Sequence, residues 1–331
     1  MSRIDQTFIK ILKTSIPKHI SATEEIASVL GINYDAAYRR LNGKVPFNLE
    51  ESVKLSKTFD ISLNKLFEIG EKNSYLIKES KPINNINDFI NYLRNFDKEL
   101  KPLANNKDAS ILFSARELPM FYFFHQPILI KFKAFVWFSI LNVTPVNKRI
   151  LYKDFIVTDT MINAATSLGK TYNNINKTEM WSFGAINNFL QQILYLHEMN
   201  QITLKDAQEI CDAIIIEIKK VENDTLFKSE EKQVAFNLYS NELLMMNNSM
   251  ILQYKDKLQF GYPYALLKFF LINNQKACKA QKEYILEQTR HATCITDTSI
   301  KDHTTFFNHK YAKINRVLEV IENKENKPTF L

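Results

Sequence analysis

Four side chains in the run NYDAAYRRLNG, residues 33–43, could concentrate hydrogen-bonding chemistry on one helix face: Tyr34, Asp35, Tyr38 and Arg39. A helix capped by Asn33 places all four on its outer side, while Ala36, Ala37 and Leu41 turn inward. A guanidinium such as that of Arg39 can donate a bidentate pair to O6 and N7 of guanine, and a carboxylate such as that of Asp35 can accept from a cytosine N4 amine. The chemistry on offer is therefore the reading of base edges. Two helices must position it. In TEEIASVLG, Thr23 is a candidate cap and Ile26, Ala27 and Leu30 form one buried face. Gly31 supplies the backbone freedom for a sharp turn into the second helix, which Asn42-Gly43 ends. Residues 23–43 thus read as a helix-turn-helix, a motif whose second helix lies in the DNA major groove.

The run continues as KVPFNLEESVKLSKTFDISLNKLF. Asn48 caps a further helix with Leu49, Val53, Leu55 and Phe59 as its apolar stripe, and Ser62 caps another through Leu63, Leu66 and Phe67. With an opening helix in QTFIKILKTSI, residues 1–70 resemble the five-helix domain of lambda-repressor-like (Xre-type) bacterial transcription regulators. By position, the resemblance implies that Tyr34, Asp35, Tyr38 and Arg39 contact bases and that Thr23, Arg40, Asn42 and Lys44 contact phosphates. Asp35 stands where such families carry a polar amide, and Arg40 where they often carry an apolar residue, so Arg40 is assigned to the phosphate backbone. The blocks RELPMFYFFHQP, MWSFGAINNFLQQILYLHE and TSIKDHTTFFNHKYAKI resemble the long C-terminal region of a group of such regulators, a region that brings no activity with it.

Charge limits what one copy can do. Residues 1–70 hold seven Lys and three Arg against eight Asp and Glu, a net +2, within a chain of +7. Affinity for DNA rises with the number of phosphates neutralised, so so small a surplus points to a homodimer presenting two recognition helices roughly 34 Å apart on double-stranded DNA. The remaining 260 or so residues, far more than a DNA reader requires, would then dimerise and sense an effector or dock a protein partner. A rival reading is a protein-interaction adaptor whose helix-turn-helix reads no DNA.

At 331 residues, 45% hydrophobic and 24% charged, the chain has material for one small and one larger globular part. The opening MSRIDQTF has no apolar run fit for a signal peptide, and Cys211, Cys278 and Cys294 are an odd, sparse set, which fits a reducing cytoplasm. ILFSARELPMFYFFHQPILIKFKAFVWFSIL, residues 111–141, is the most apolar stretch, but Arg116, Glu117, His125, Gln126, Lys131 and Lys133 interrupt it. It reads as a hydrophobic core or dimer seam, with a buried helix from Pro127, rather than a membrane span. Its aromatic cluster, Phe121, Tyr122, Phe123, Phe124 and Trp137, could line a ligand pocket, but such clusters are more often simply core.

The expected fold class is mainly α: the five-helix domain at 1–70, a linker at 71–88 marked by Pro82 and Asn84-Asn85, and a helical domain at 89–331. Apolar spacing predicts helices at 151–168, 182–199, 204–222, 230–247, 263–273, 276–289 and 300–323. SMILQYKDKLQFGYP, with alternating runs around Lys255-Asp256-Lys257, predicts a single β-hairpin over about 249–261. No catalytic, metal or cofactor site is expected. His291, Cys294, Asp297, Asp302, His303 and His309 lie close in sequence, but without a CxxC, an HExxH or a His pair at i, i+4 they read as a Thr/Ser-rich loop leading to a helix capped near Ser299. His197-Glu198 reads as a helix C-terminal pair rather than an acid–base pair. Only six glycines are present, too few for a Gly-rich phosphate cradle.

Overall fold

In the computed structural model the chain forms two compact units, Met1–Leu76 and Ile77–Leu331. Residues 2–17, 19–67, 75, 77–141, 150–226, 234–242 and 248–325 are described. Most of the segment 71–76, and much of the helix expected at 230–247, lie outside them.

The first unit contains α1 (Arg3–Ser15), α2 (Ala22–Leu30), α3 (Tyr34–Leu41), α4 (Leu49–Thr58) and α5 (Leu63–Phe67). Its core is small: Phe8, Leu12, Ile16, Ile26, Ala37, Leu41 and Leu55 are buried together. Helix starts are fixed by side-chain caps, with Ser2 and Asn48 in reciprocal capping boxes and Asn33 accepting from the Ala36 amide at 2.8 Å. Of the stripe expected on α4, Leu55 is buried and Phe59 packs against the core, whereas Leu49 and Val53 face solvent.

The second unit corrects the expected mainly helical fold with one hairpin, because it is organised by an eight-stranded mixed sheet in the order β1-β7-β6-β5-β2-β3-β4-β8. The strands are β1 (Ile77–Glu79), β2 (Ser110–Ala115), β3 (Asn176–Ser182), β4 (Phe236–Asn241), β5 (Ser249–Tyr254), β6 (Lys257–Ala265), β7 (Lys268–Ile272) and β8 (Thr293–Cys294). At the centre β2, β3 and β4 run parallel, joined by helical crossovers: α7 (Pro127–Leu141) and α8 (Asp159–Asn173), then α9 (Asn187–Glu198) and α10 (Leu204–Leu226). The β5-β6-β7-β1 half is antiparallel. Helix α6 (Ile86–Ala104) packs on α8, and α12 (Ile300–Glu325) on α10. The other sheet face carries a second core of Leu112, Met180, Ile251, Leu258 and Phe260, closed by Cys278 and Ile285 of α11 (Gln275–Gln288).

The hairpin at 249–261 is present, with Tyr254 opposite Lys257 across a two-residue turn in which Lys255 takes φ 54°, but it is one arm of this larger sheet. Residues 263–273, expected as a helix, form the end of β6 and β7, and Phe236–Asn241 is strand β4. The reason is burial on both faces. In β2, Ile111 and Phe113 enter the larger core while Leu112 enters the smaller one, and β7 is half-buried along its whole length, so apolar residues run on without alternation. Residues 77–79, within the segment read as a linker, form edge strand β1 against β7.

Two buried carboxylates fasten the elements of this unit, one joining helices to the sheet and one joining α6 to α8. Glu179, fully buried in β3, accepts from Tyr122 Oη at 2.8 Å, Tyr172 Oη at 2.7 Å and Trp181 Nε1 at 2.6 Å. Asp97 on α6 accepts from Thr171 Oγ1 at 2.5 Å and Ser167 Oγ at 2.7 Å on α8, and pairs with Lys101 at 2.9 Å. Burial pushes the Asp97 carboxyl up, but these donors outweigh it and hold the group below its ordinary value. A carboxyl depressed by folding stabilises the native state above its unfolded value, near 4, and that contribution is lost as pH falls through the folded value. Acid unfolding should therefore steepen below about pH 4, and Asp97→Asn should flatten that part of a stability–pH curve. Glu179→Ala, which strands three buried donors, should cost at least about 3 kcal/mol in denaturant unfolding.

Candidate nucleic-acid interface

Helix α2 ends at Gly31, whose φ of 70° and ψ of 34° lie in the left-handed region, and its amide bonds to Ala27 O at 2.9 Å. No heavy atom lies within 4 Å of a Cβ built there, so only backbone conformation constrains the position. Asn33 then restarts the chain as α3, with Ala37 and Leu41 buried and Ala36 half-buried. Tyr34, Asp35, Tyr38 and Arg39 all stand on the exposed side. Tyr34 and Tyr38 are 52% and 47% exposed, high for aromatic side chains, and their rings stack 6.4 Å apart. Arg39 has no side-chain partner among the described residues.

Arg40 behaves differently. Its Nε donates to Glu51 Oε2 at 2.9 Å, its Nη2 lies 2.8 Å from Glu51 Oε1, and its Nη1 reaches Ala36 O at 3.3 Å. Burial raises the Glu51 carboxyl, yet the Arg40 fork and the Asn48 amide more than offset this and leave it below its ordinary value. Glu51 also closes the α4 capping box, so one carboxylate ties α3 to the start of α4. Arg40, expected at the phosphate backbone, has its guanidinium engaged within the unit, where Glu51 offers a bidentate acceptor eleven residues on.

The other residues assigned to phosphates lie at helix ends. Ser21, rather than Thr23, caps α2, since its side chain accepts from the Glu24 amide at 3.5 Å while Thr23 is already helical. The first turn of α2 also carries Glu24 and Glu25, which oppose an anion there. Asn42 ends α3 and donates to Tyr38 O at 3.0 Å. Lys44 is exposed just beyond, past Gly43 with φ 68°.

In the second unit, the His/Cys/Asp segment does not converge. Asp302 and Ser299 cap α12 through bonds of 2.8 and 3.1 Å, His303 meets Thr225 Oγ1 at 2.9 Å, and His309 lies against the Phe183 ring. No group of three metal-ligating side chains is assembled among the described residues. Glu198 pairs with Lys324 of α12. No described helix is long and apolar enough to cross a membrane. The aromatic cluster divides. Phe121, Phe123 and Trp137 line a cavity of about 1180 Å³ between α6, α7 and the antiparallel half of the sheet, while Tyr122 and Phe124 do not. Lys133 also lines it, and sequence reasoning missed that role. Its only sign was a cation inside an apolar helix.

Gly31→Ala should lower the stability of the first unit by about 1–2 kcal/mol through left-handed strain alone. Arg40→Ala should cost about 1 kcal/mol by freeing Glu51, whereas Arg39→Ala should leave unfolding unchanged; thermal denaturation of the full chain separates the three.

Residues 5–93 match the family model described as BetR domain, a span that runs from α1 into α6. No curated protein and no solved structure matches the chain. The likeness to known families thus rests on the stretch that carries Gly31 and the exposed face of α3.

Proposed function

We propose that this protein is a cytoplasmic, sequence-specific DNA-binding transcriptional regulator of the lambda-repressor-like kind, working as a homodimer whose larger unit dimerises and senses an effector or partner. The observation that carries this reading is the division of labour on α3. Arg40 is held by Glu51 inside the unit, whereas Arg39, with Tyr34, Asp35 and Tyr38, is left exposed on a rigid helix. A helix presented so, after a sharp turn at Gly31, can enter a major groove with Arg39 set for guanine. Asn42 and Lys44 follow on as backbone contacts, and Thr23 reaches the backbone from the first turn of α2 against the acidic pair beside it.

The acidic turn at Glu24 and Glu25 and the net charge of +2 in residues 1–70 favour one competing reading, a protein-contact role for the same surface. Selection from random duplexes at near-physiological salt decides between them. The regulator reading expects an enriched two-fold symmetric site with half-sites about one helical turn apart. Absence of any enriched sequence, with cellular output indifferent to Arg39→Ala, would establish the adaptor instead. On the selected site, Arg39→Ala should cost about 1–3 kcal/mol and relax preference at one base pair, while Lys44→Ala should weaken all sequences alike and lower the salt slope by about one.

A further inference from the structure

The cavity beside α6 is graded along its length. Its rim is of mixed charge, with Lys78, Lys81 and Lys98 beside Glu79, Asp88 and Glu99, while Phe121, Phe123 and Trp137 are each at most 5% exposed. Among these buried rings lies Lys133, itself 5% exposed. Its Nζ donates to Gln192 Oε1 at 2.9 Å and sits 5.0 Å from the Phe123 ring centre and 5.2 Å from that of Trp137. Among the described residues no carboxylate lies within ion-pair distance of it. Burial pushes the amine down to about 8, with Glu117 pulling it up. A cation buried in an apolar wall, with one neutral hydrogen-bond acceptor, is costly unless something pairs with it.

We propose that this cavity binds an amphipathic monocarboxylate, its apolar body against Phe96, Phe113, Phe269 and Met250 and its carboxylate on Lys133. The volume, about 1180 Å³, lies somewhat above the roughly 300–1,000 Å³ of small-molecule sites and admits a medium-length chain. Among the described residues Lys133 is the one cation at the buried end, with the Phe123 and Trp137 rings beside it, and a single amine there matches a single negative charge. Binding is independent of the DNA-binding reading; only its regulatory consequence rests on that reading.

The test uses the full chain and dodecanoate below its micellar concentration, with 1-dodecanol as the uncharged control, followed by tryptophan fluorescence and calorimetry. Dodecanoate should saturate one site per chain at least tenfold more tightly than dodecanol. K133M should abolish that preference while keeping dodecanol binding. Gly261 lines the same cavity, and a Cβ there meets only ordinary contacts at 3.7 Å; G261L, with its fold checked by circular dichroism, should fill the cavity and block both ligands without touching Lys133. Absence of saturable binding in the wild type, equal affinity for acid and alcohol, or full binding by G261L would each overturn the proposal. Should K133M fail to fold, the wild-type preference and G261L decide alone. A dodecanoate-dependent change in affinity for the selected DNA would add the regulatory link; binding without that change would leave the site intact and break only the coupling.

Discussion

The larger unit hangs on a carboxylate that has no water to turn to. Glu179 sits at the middle of β3, opposite Phe113 on one side and Leu238 on the other, so neither sheet neighbour can solvate it. Its donors arrive from three places: the short helical turn holding Tyr122, helix α8 through Tyr172, and β3 itself through Trp181. Burial raises its carboxyl, while Lys177 and those three donors pull the other way. Such a site tolerates little displacement, because a lost donor leaves either a charge or a hydroxyl unpaired in a medium of low polarity. The packing of Phe121 flat on Tyr172, with ring centres 3.9 Å apart, follows from the same anchoring.

The smaller unit is held by different means. Its buried core has few members, so it relies on helix ends being correctly closed, and Ser2, Ser21, Asn33 and Asn48 each supply a cap. Glu51 links two of these devices, accepting the Asn48 amide and both arms of the Arg40 fork. Adjacent arginines in one helix thereby receive opposite duties, and the one that faces outward costs the fold nothing to present.

What could be read from the residues was local. Asn33 and Asn48 as caps, Gly31 as a turn and Pro127 as a helix start are each decided within a few positions, and the structure places them there. The sheet was not legible because its central strands break the patterns that betray a strand. β2 is apolar on both faces, and β3, in NKTEMWS, turns Lys177 and Glu179 toward the interior, which inverts the expected polarity. Pairing β2 with β3 spans more than sixty residues, so no neighbouring residue announces it. Lys133 escaped for a similar reason: from its neighbours alone, a lysine within a buried helix signals only that the segment is not a membrane span, and the cavity beside it is made by residues far away along the chain.

An open sheet has two borders, and unpaired amides and carbonyls along a border invite another strand to add itself. Here the borders are β1, three residues with Lys78 and Glu79 among them, and β8, two residues long. Among the described residues neither offers a length of bare backbone sufficient for a foreign strand to hold, and an apolar strand laid on β1 would have to desolvate Lys78 and Glu79. The brevity of these two strands thus guards an eight-stranded sheet against stacking edge to edge with its own copies, leaving self-association to whatever surface is built for it.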